Sequence, residues 1–151
     1  MVSVTLGQAP PVDVLGTTMT GETVRLSAFK GKKNVVVYFY PKDDTPGCTR
    51  EGIGFTEKKA AFAKANTEVL GVSTDSPESH KEFCGKYNLT ITLVADPSRT
   101  TTRAFGVLKE SGSAMRTTFL VDKSGKIAHV WENVKVDGHV DEVLEQATRL
   151  A

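Results

Sequence analysis

The sequence predicts an α/β domain built on a mixed sheet flanked by helices. Three observations carry this. Asn34 to Tyr40 (NVVVYFY) is the strongest strand-like run and is apolar on both alternating faces, as a central strand covered from both sides requires. Two cap-then-proline pairs, Thr45-Pro46 and Ser76-Pro77, open helices between strand-like runs, as parallel crossovers require. Asp122-Lys123-Ser124-Gly125 is a hairpin turn between two β-like runs and adds antiparallel pairing.

The elements follow in order. Val12 to Val14 and Thr23 to Arg25, joined through the turn Gly16 to Gly21, predict an N-terminal β-hairpin. Leu26 to Phe29 is one helical turn ended by Gly31. Pro41 stops the central strand. The helix opened by Thr45 and Pro46 carries Phe55 and Phe62 on one apolar face, with Gly52 and Gly54 weakening it locally. Val69 to Ser73 is a strand, Pro77 to about Tyr87 a helix, Ile91 to Ala95 a strand and Thr100 to Phe105 a short helix. Thr117 to Val121 and Ile127 to Trp131 pair as a hairpin, and Val140 to Leu150 is an amphipathic helix with Val140, Val143, Leu144 and Ala147 on one face. No repeat, linker or low-complexity stretch interrupts the order, so residues 1–151 are expected to form a single domain.

Composition narrows the function. Nineteen Lys plus Arg against eighteen Asp plus Glu leave a net charge of +1, so the basic excess of a nucleic-acid binder is missing. No apolar run approaches the roughly 20 residues that cross a bilayer, and no membrane partner is expected. Met1 to Pro11 lacks a basic start followed by an apolar stretch, so a reducing, cytoplasmic setting is the expectation. There, Cys48 and Cys84 are each either a small buried hydrophobe or a reactive group.

The segment Pro41-Lys42-Asp43-Asp44-Thr45-Pro46-Gly47-Cys48-Thr49-Arg50-Glu51 concentrates the chemistry. It places Cys48 in the first turn of a helix, just beyond a central strand. A helix N-terminus favours thiolate over thiol and offers backbone N–H groups without intrahelical acceptors. Strand ends of α/β sheets are also where ligand crevices form. The Thr45 hydroxyl can accept from a first-turn N–H while its hydrogen points at the sulfur or at a bound oxygen. Pro46 fixes the entry to the helix, and Gly47 leaves space beside the sulfur. On spacing alone, Cys48 is as readily a structural cysteine in a turn as a reactive one.

Other cysteine chemistries do not fit. The position three after Cys48 is Glu51, so there is no Cys-x-x-Cys dithiol, and position 54 is glycine where a phosphatase loop needs arginine. Gly52-Ile53-Gly54 is followed by Glu57 where a dinucleotide fingerprint needs its third glycine. The two cysteines lie 36 positions apart and His80, His129 and His139 have no finger-like spacing, so no metal and no cofactor is expected.

The pattern Pro41-x-x-x-Thr45-x-x-Cys48 resembles the signature of peroxiredoxins. The string PKDDTPGCTRE is similar to their peroxiredoxin Q branch, also called bacterioferritin-comigratory protein. The likeness extends through Leu70 to Asp75, Leu93 to Asp96, Arg116 to Asp122 and Gly125 to Ile127. It implies a thioredoxin-like fold with an N-terminal addition, and thiol-dependent reduction of hydrogen peroxide and small organic hydroperoxides. By the same resemblance Cys48 is the peroxidatic cysteine, Thr45 bonds the thiolate and peroxide, and Pro41 shields the site from water. Arg116 supplies positive charge beside the sulfur; read alone, it is a solvated arginine at a strand end. Glu51 either orients an arginine or is a favourable acid in a first turn.

The implied chemistry is attack of the Cys48 thiolate on the terminal peroxide oxygen, leaving a sulfenic acid. Lowering a thiol's pKa from about 8.5 to about 6 yields at most some thirty-fold more thiolate, so donors that hold the peroxide in line must contribute more. Many relatives carry a resolving cysteine five residues on; here that position is Ile53. Cys84, on the second crossover helix, resembles the resolving cysteine of another subset. Its neighbours His80, Phe83 and Tyr87 equally describe a core face. A disulfide requires Cα atoms within roughly 7 Å, so both helices are expected to unwind locally, helped by Gly47, Gly52, Gly54 and Gly85. Thioredoxin or a similar thiol donor is the expected reductant, and a monomer the expected state. A one-cysteine peroxidase with a structural Cys84, and a non-enzymatic redox-sensing module, are the competing readings.

Overall fold

The computed structural model describes residues 2–151. Its strands are β1 (Val14–Thr17), β2 (Thr23–Arg25), β3 (Asn34–Phe39), β4 (Thr67–Ser73), β5 (Thr92–Ala95), β6 (Thr117–Val121) and β7 (Ile127–Trp131). Its helices are α1 (Pro46–Glu57), α2 (Lys59–Lys64), α3 (Pro77–Tyr87), α4 (Thr100–Ala104) and α5 (His139–Leu150). The strands form one sheet in the order β2-β1-β5-β4-β3-β6-β7. β3 runs parallel to β4, and β4 to β5, through the two helical crossovers. β6 lies antiparallel to β3 and pairs with β7, so the sheet is mixed.

The apolar run predicted for the centre is buried at all six positions of β3. Because successive side chains point to opposite faces, it feeds two cores. Val36, Tyr38 and Tyr40 join the core under α1, α2, α3 and α5, with Phe55, Phe62, Phe83, Val143 and both cysteines. Val35, Val37 and Phe39 join the core on the other face, with Val72, Phe105 and Phe119. Gly71 on β4 makes room for this arrangement. A methyl there would lie 2.7 Å from Cζ of Tyr38 and 2.9 Å from Leu93 Cδ2.

Two element expectations shift. The first hairpin strand is Val14–Thr17 rather than Val12 to Val14. Pairing with β2 passes through a bulge between Val14 and Gly16. A side chain on Gly16 would meet the Ala95 carbonyl oxygen at 2.1 Å, so only glycine lets β1 close onto β5. The helix carrying Phe55 and Phe62 is not continuous. It breaks at Lys58 (φ −97, ψ 4) into α1 and α2. Glycines at 52 and 54 and the β-branched Thr56 leave the end of α1 poor in helix propensity. The Thr56 hydroxyl instead accepts from the Thr90 N–H. Phe55 and Phe62 still reach one core, with ring centroids 5.8 Å apart.

Candidate active site

The site forms where β3 ends and α1 begins. Pro46 stands at the start of α1, and the first intrahelical bond runs from the Thr49 N–H to the Thr45 carbonyl at 2.8 Å. The N–H groups of Gly47 and Cys48 therefore have no intrahelical acceptor. Cys48 is buried. Arg116, just before β6, crosses to it, and its Nη2 donates to the Cys48 sulfur at 3.3 Å. Its Nη1 donates to Glu51 Oε1 at 2.6 Å. Cys48, Glu51 and Arg116 are thus one constellation, drawn from α1 and from the residue that leads into β6, the strand antiparallel to β3.

Electrostatics follow from depth. Burial pushes the Glu51 carboxyl up to about 7, against the pull of the Arg116 charge. Its second oxygen, Oε2, has no hydrogen-bond partner among the described residues. Burial works against the Arg116 charge, but Glu51 and Cys48 outweigh it and hold the guanidinium above its ordinary value. The fork geometry lets one arginine serve carboxylate and sulfur at once, which a lysine does not match.

Gly47 has a tighter role than leaving open space. A methyl on it would stand 3.0 Å from Arg116 Nη2 and 3.9 Å from Val136 Cγ2. The missing side chain is the seat of the guanidinium. Gly52 and Gly54 likewise admit neighbours, Leu89 Cδ1 at 3.1 Å and Val140 Cγ2 at 3.0 Å from a built methyl. Close packing explains these three glycines, while Gly85 faces open space.

Thr45 differs from expectation. It makes no side-chain cap bond, and its hydroxyl donates to the Lys42 carbonyl at 2.8 Å. The single hydroxyl hydrogen closes the loop and is not available to the sulfur. Pro41 is half-buried, directly after the fully buried Tyr40.

Cys84 lies on α3 in the same core as Cys48, and both are free thiols. It is 6% exposed, at the floor of an open groove of about 600 Å³ bounded by Met19, Lys81 and Leu89. Burial, and secondarily the Asp43 charge, pushes its thiol up to about 11.

Several residues around the site carried no role in the sequence reading. Asp43 is buried and accepts from the Tyr40 hydroxyl at 2.6 Å and from the Ser79 hydroxyl at 2.7 Å. Burial lifts its carboxyl to about 6. His80 Nε2 lies 2.8 Å from Ser73 Oγ, and burial holds its imidazole down at about 4. His139 Nε2 lies 2.8 Å from Thr118 Oγ1. Burial, then the Arg116 charge, holds it down at about 4 as well. The segment before α5 rims the site: the Val134 N–H donates to the Arg116 carbonyl at 3.1 Å, and Asp137 pairs with Arg50 at 2.6 Å. A histidine on an otherwise apolar helix face was the available signal for His80; nothing local marked Val134 or Asp137. Asp43, Asp75 and His80 each bring a potential metal-ligand atom within 4.8 Å of the others, but each is engaged in hydrogen bonds within the protein.

Comparison with known proteins gives the family. The family model described as AhpC/TSA matches residues 7–130. The chain is 46% identical over 150 residues to a putative peroxiredoxin Bcp of Coxiella burnetii, covering 95% of this chain and 98% of that one. It is 41% identical to peroxiredoxin Bcp of Bacillus subtilis, with 95% of each covered. Among solved structures, Xanthomonas campestris peroxiredoxin Q superposes with a TM-score of 0.86 at 36% identity, covering 98% of this chain and 97% of that one. A second Xanthomonas campestris structure, at 35% identity and TM-score 0.86 over 99% and 98% of the two chains, is described in terms of the alkyl peroxide reduction activity of bacterioferritin comigratory protein. The mixed sheet is therefore that of a thioredoxin-like fold, and the chain belongs to the AhpC/TSA family, in its peroxiredoxin Q/Bcp branch.

Proposed function

We propose that this chain is a thiol-dependent peroxidase acting on hydrogen peroxide and small organic hydroperoxides through Cys48. The observation that carries the reading is the Arg116 guanidinium donating to the Cys48 sulfur at 3.3 Å while anchored by Glu51. The sulfur is the nucleophile, and the guanidinium stands against it as a charged donor. The same guanidinium and the free N–H groups of Gly47 and Cys48 stabilise charge gathering on the departing oxygen. Thr45 Oγ1, its hydrogen committed to Lys42, accepts from the peroxide O–H. Pro41 limits water at the strand end.

In the first step the sulfur attacks the terminal peroxide oxygen. An S–O bond forms, the O–O bond breaks, and the departing oxygen takes a proton and leaves as water or an alcohol. Cys48 is oxidised by two electrons to the sulfenic acid. In the second step the Cys84 thiol gives up its proton as its sulfur attacks the Cys48 sulfur; an S–S bond forms, the S–O bond breaks, and the departing hydroxyl takes a proton and leaves as water. A dithiol reductant of the thioredoxin type then restores both thiols by exchange. The activity named for the Xanthomonas campestris relative, alkyl peroxide reduction, supports the substrate class. The chain acts as one domain and a monomer, without metal or cofactor, in a reducing cytoplasm. Among the described residues no helix is long and apolar enough to cross a membrane.

Replacing each cysteine by serine tests the reading. Cys48→Ser abolishes peroxide consumption. Cys84→Ser retains one stoichiometric oxidation but loses thioredoxin-coupled turnover. Undiminished coupled turnover in Cys84→Ser would replace the two-cysteine cycle by a one-cysteine one. Peroxide consumption surviving in Cys48→Ser would end the proposal.

A further inference from the structure

We infer that the adjacent carboxylates Asp43 and Asp44 clasp the Cys84 helix at its two ends, and that release of the outer end sets how fast Cys84 reaches oxidised Cys48. The inference rests on the resolving role of Cys84 proposed above. The two aspartates sit in the loop that delivers Cys48 to its helix, and they point opposite ways. Asp43 turns inward to the start of α3. Its Oδ2 accepts from Ser79 Oγ at 2.7 Å, and its backbone N–H donates to Asp75 Oδ2 at 2.9 Å, just ahead of the helix. The Tyr40 hydroxyl fixes the other oxygen at 2.6 Å. Asp44 turns outward to the last turn of α3. It accepts from Lys86 Nζ at 2.8 Å and from the Tyr87 hydroxyl.

Asp44 can do this because its backbone is left-handed, with φ +57, a conformation aspartate tolerates better than most residues. Cys84 lies between the two attachments. So long as both hold, its side chain stays in the core, where the thiol is nearly inaccessible.

The attachments are unequal. The inner one is part-buried, and the buried Asp43 behind it is backed by the buried Tyr40 hydroxyl. In the outer one the Lys86 and Asp44 side chains are 59% and 41% exposed, where ion pairs are weak and screened. Between Cys84 and that end lies Gly85, whose Cα faces open space. Beyond it Asn88 closes the helix in a left-handed cap. Opening therefore starts at the C-terminal end of α3, frees residues 84–87, and leaves the Ser79 end held by Asp43.

Rapid-quench oxidation of the full chain with one equivalent of hydrogen peroxide tests this, with sulfenic acid and disulfide resolved by mass. In the double variant Lys86→Met with Tyr87→Phe, disulfide formation should rise about three- to tenfold. The first oxidation should stay within about twofold of the parent. The peroxide concentration that drives half the chain to sulfinic acid should rise by the same factor as the disulfide rate. Amide exchange should quicken at residues 84–87 and not at 77–80. The variant Asp44→Asn, which keeps an acceptor and the left-handed backbone but loses the charge, should fall between parent and double variant. An unchanged disulfide rate in the double variant overturns the clasp. A parent that never forms the Cys48–Cys84 bond overturns the resolving role first, and the clasp with it.

Discussion

Gly47 is the seat of Arg116: a methyl on Gly47 would stand 3.0 Å from Nη2, the nitrogen that donates to the Cys48 sulfur at 3.3 Å. The guanidinium cannot move aside freely, because Glu51 holds its other nitrogen at 2.6 Å. Gly47→Ala should therefore slow Cys48 oxidation by roughly tenfold, the penalty for a displacement of a few tenths of an ångström in a positioned donor. It should leave the urea midpoint nearly unchanged. Stopped-flow tryptophan or competition kinetics with hydrogen peroxide reads the rate. An oxidation rate equal to the parent's would mean the guanidinium does not need this seat.

Arg116 itself is expected to matter more than its charge. Arg116→Lys keeps a cation but cannot span Glu51 and Cys48 as a fork. The loss should be on the order of a hundredfold, close to that of removing an oxyanion donor. Arg116→Ala should be worse still. Equal rates for the lysine variant and the parent would reduce the arginine to a point charge.

Glu51 should leave a signature in stability against pH. Burial raises its carboxyl from 4.5 to about 7, so across that window the folded chain keeps a proton that the unfolded chain has released. Its contribution is present at low pH and is lost as pH rises through about 7. Glu51→Gln removes this slope, so its stability relative to the parent should climb by up to about 3 kcal/mol between those pH values. His80 and His139 act oppositely. Both are held down from 6.5 to about 4 by burial. The stability they give is present above 6.5 and is lost as pH falls through about 4. Urea unfolding at stepped pH separates the two, since the histidine slope stays in the Glu51 variant. Parallel curves for variant and parent would contradict the buried-acid reading.

Gly71→Ala should cost about 2 kcal/mol, because overpacking a core forces neighbours off their rotamers. The added methyl meets the Tyr38 ring at 2.7 Å and Leu93 at 2.9 Å, and Tyr38 is itself stacked on Phe55 with centroids 4.5 Å apart. Residue propensity alone argues the other way, since glycine is a poor strand former. A stabilised variant would show that Tyr38 is free to move.

How far the sequence reveals the protein depends on whether a feature is local. The central strand, the two cap-and-proline helix starts and the Asp122–Gly125 turn are written in contiguous residues, and they appear as β3, α1, α3 and the β6–β7 hairpin. Cys48 at a helix start was likewise legible, because Thr45, Pro46 and Gly47 stand beside it. The partnership of Arg116 with Glu51 is separated by sixty-five positions; only the family resemblance suggested it, since nothing in the periodicity near Arg116 points across the sheet. Thr45 shows the converse limit. Its type and position mark a cap, yet its hydroxyl is committed to the Lys42 carbonyl, an equally short-range alternative for a threonine. Gly52 and Gly54 read as weak points of a helix because a one-dimensional pattern does not contain Leu89 or Val140, the side chains that occupy their missing methyls.

The most direct test of the central claim is the intact mass of the reduced chain after one equivalent of hydrogen peroxide, followed by peptide mapping. Loss of two hydrogens, with the new bond joining the peptides of Cys48 and Cys84, is the expected result. An unaltered mass, with the peroxide left unspent, would contradict it.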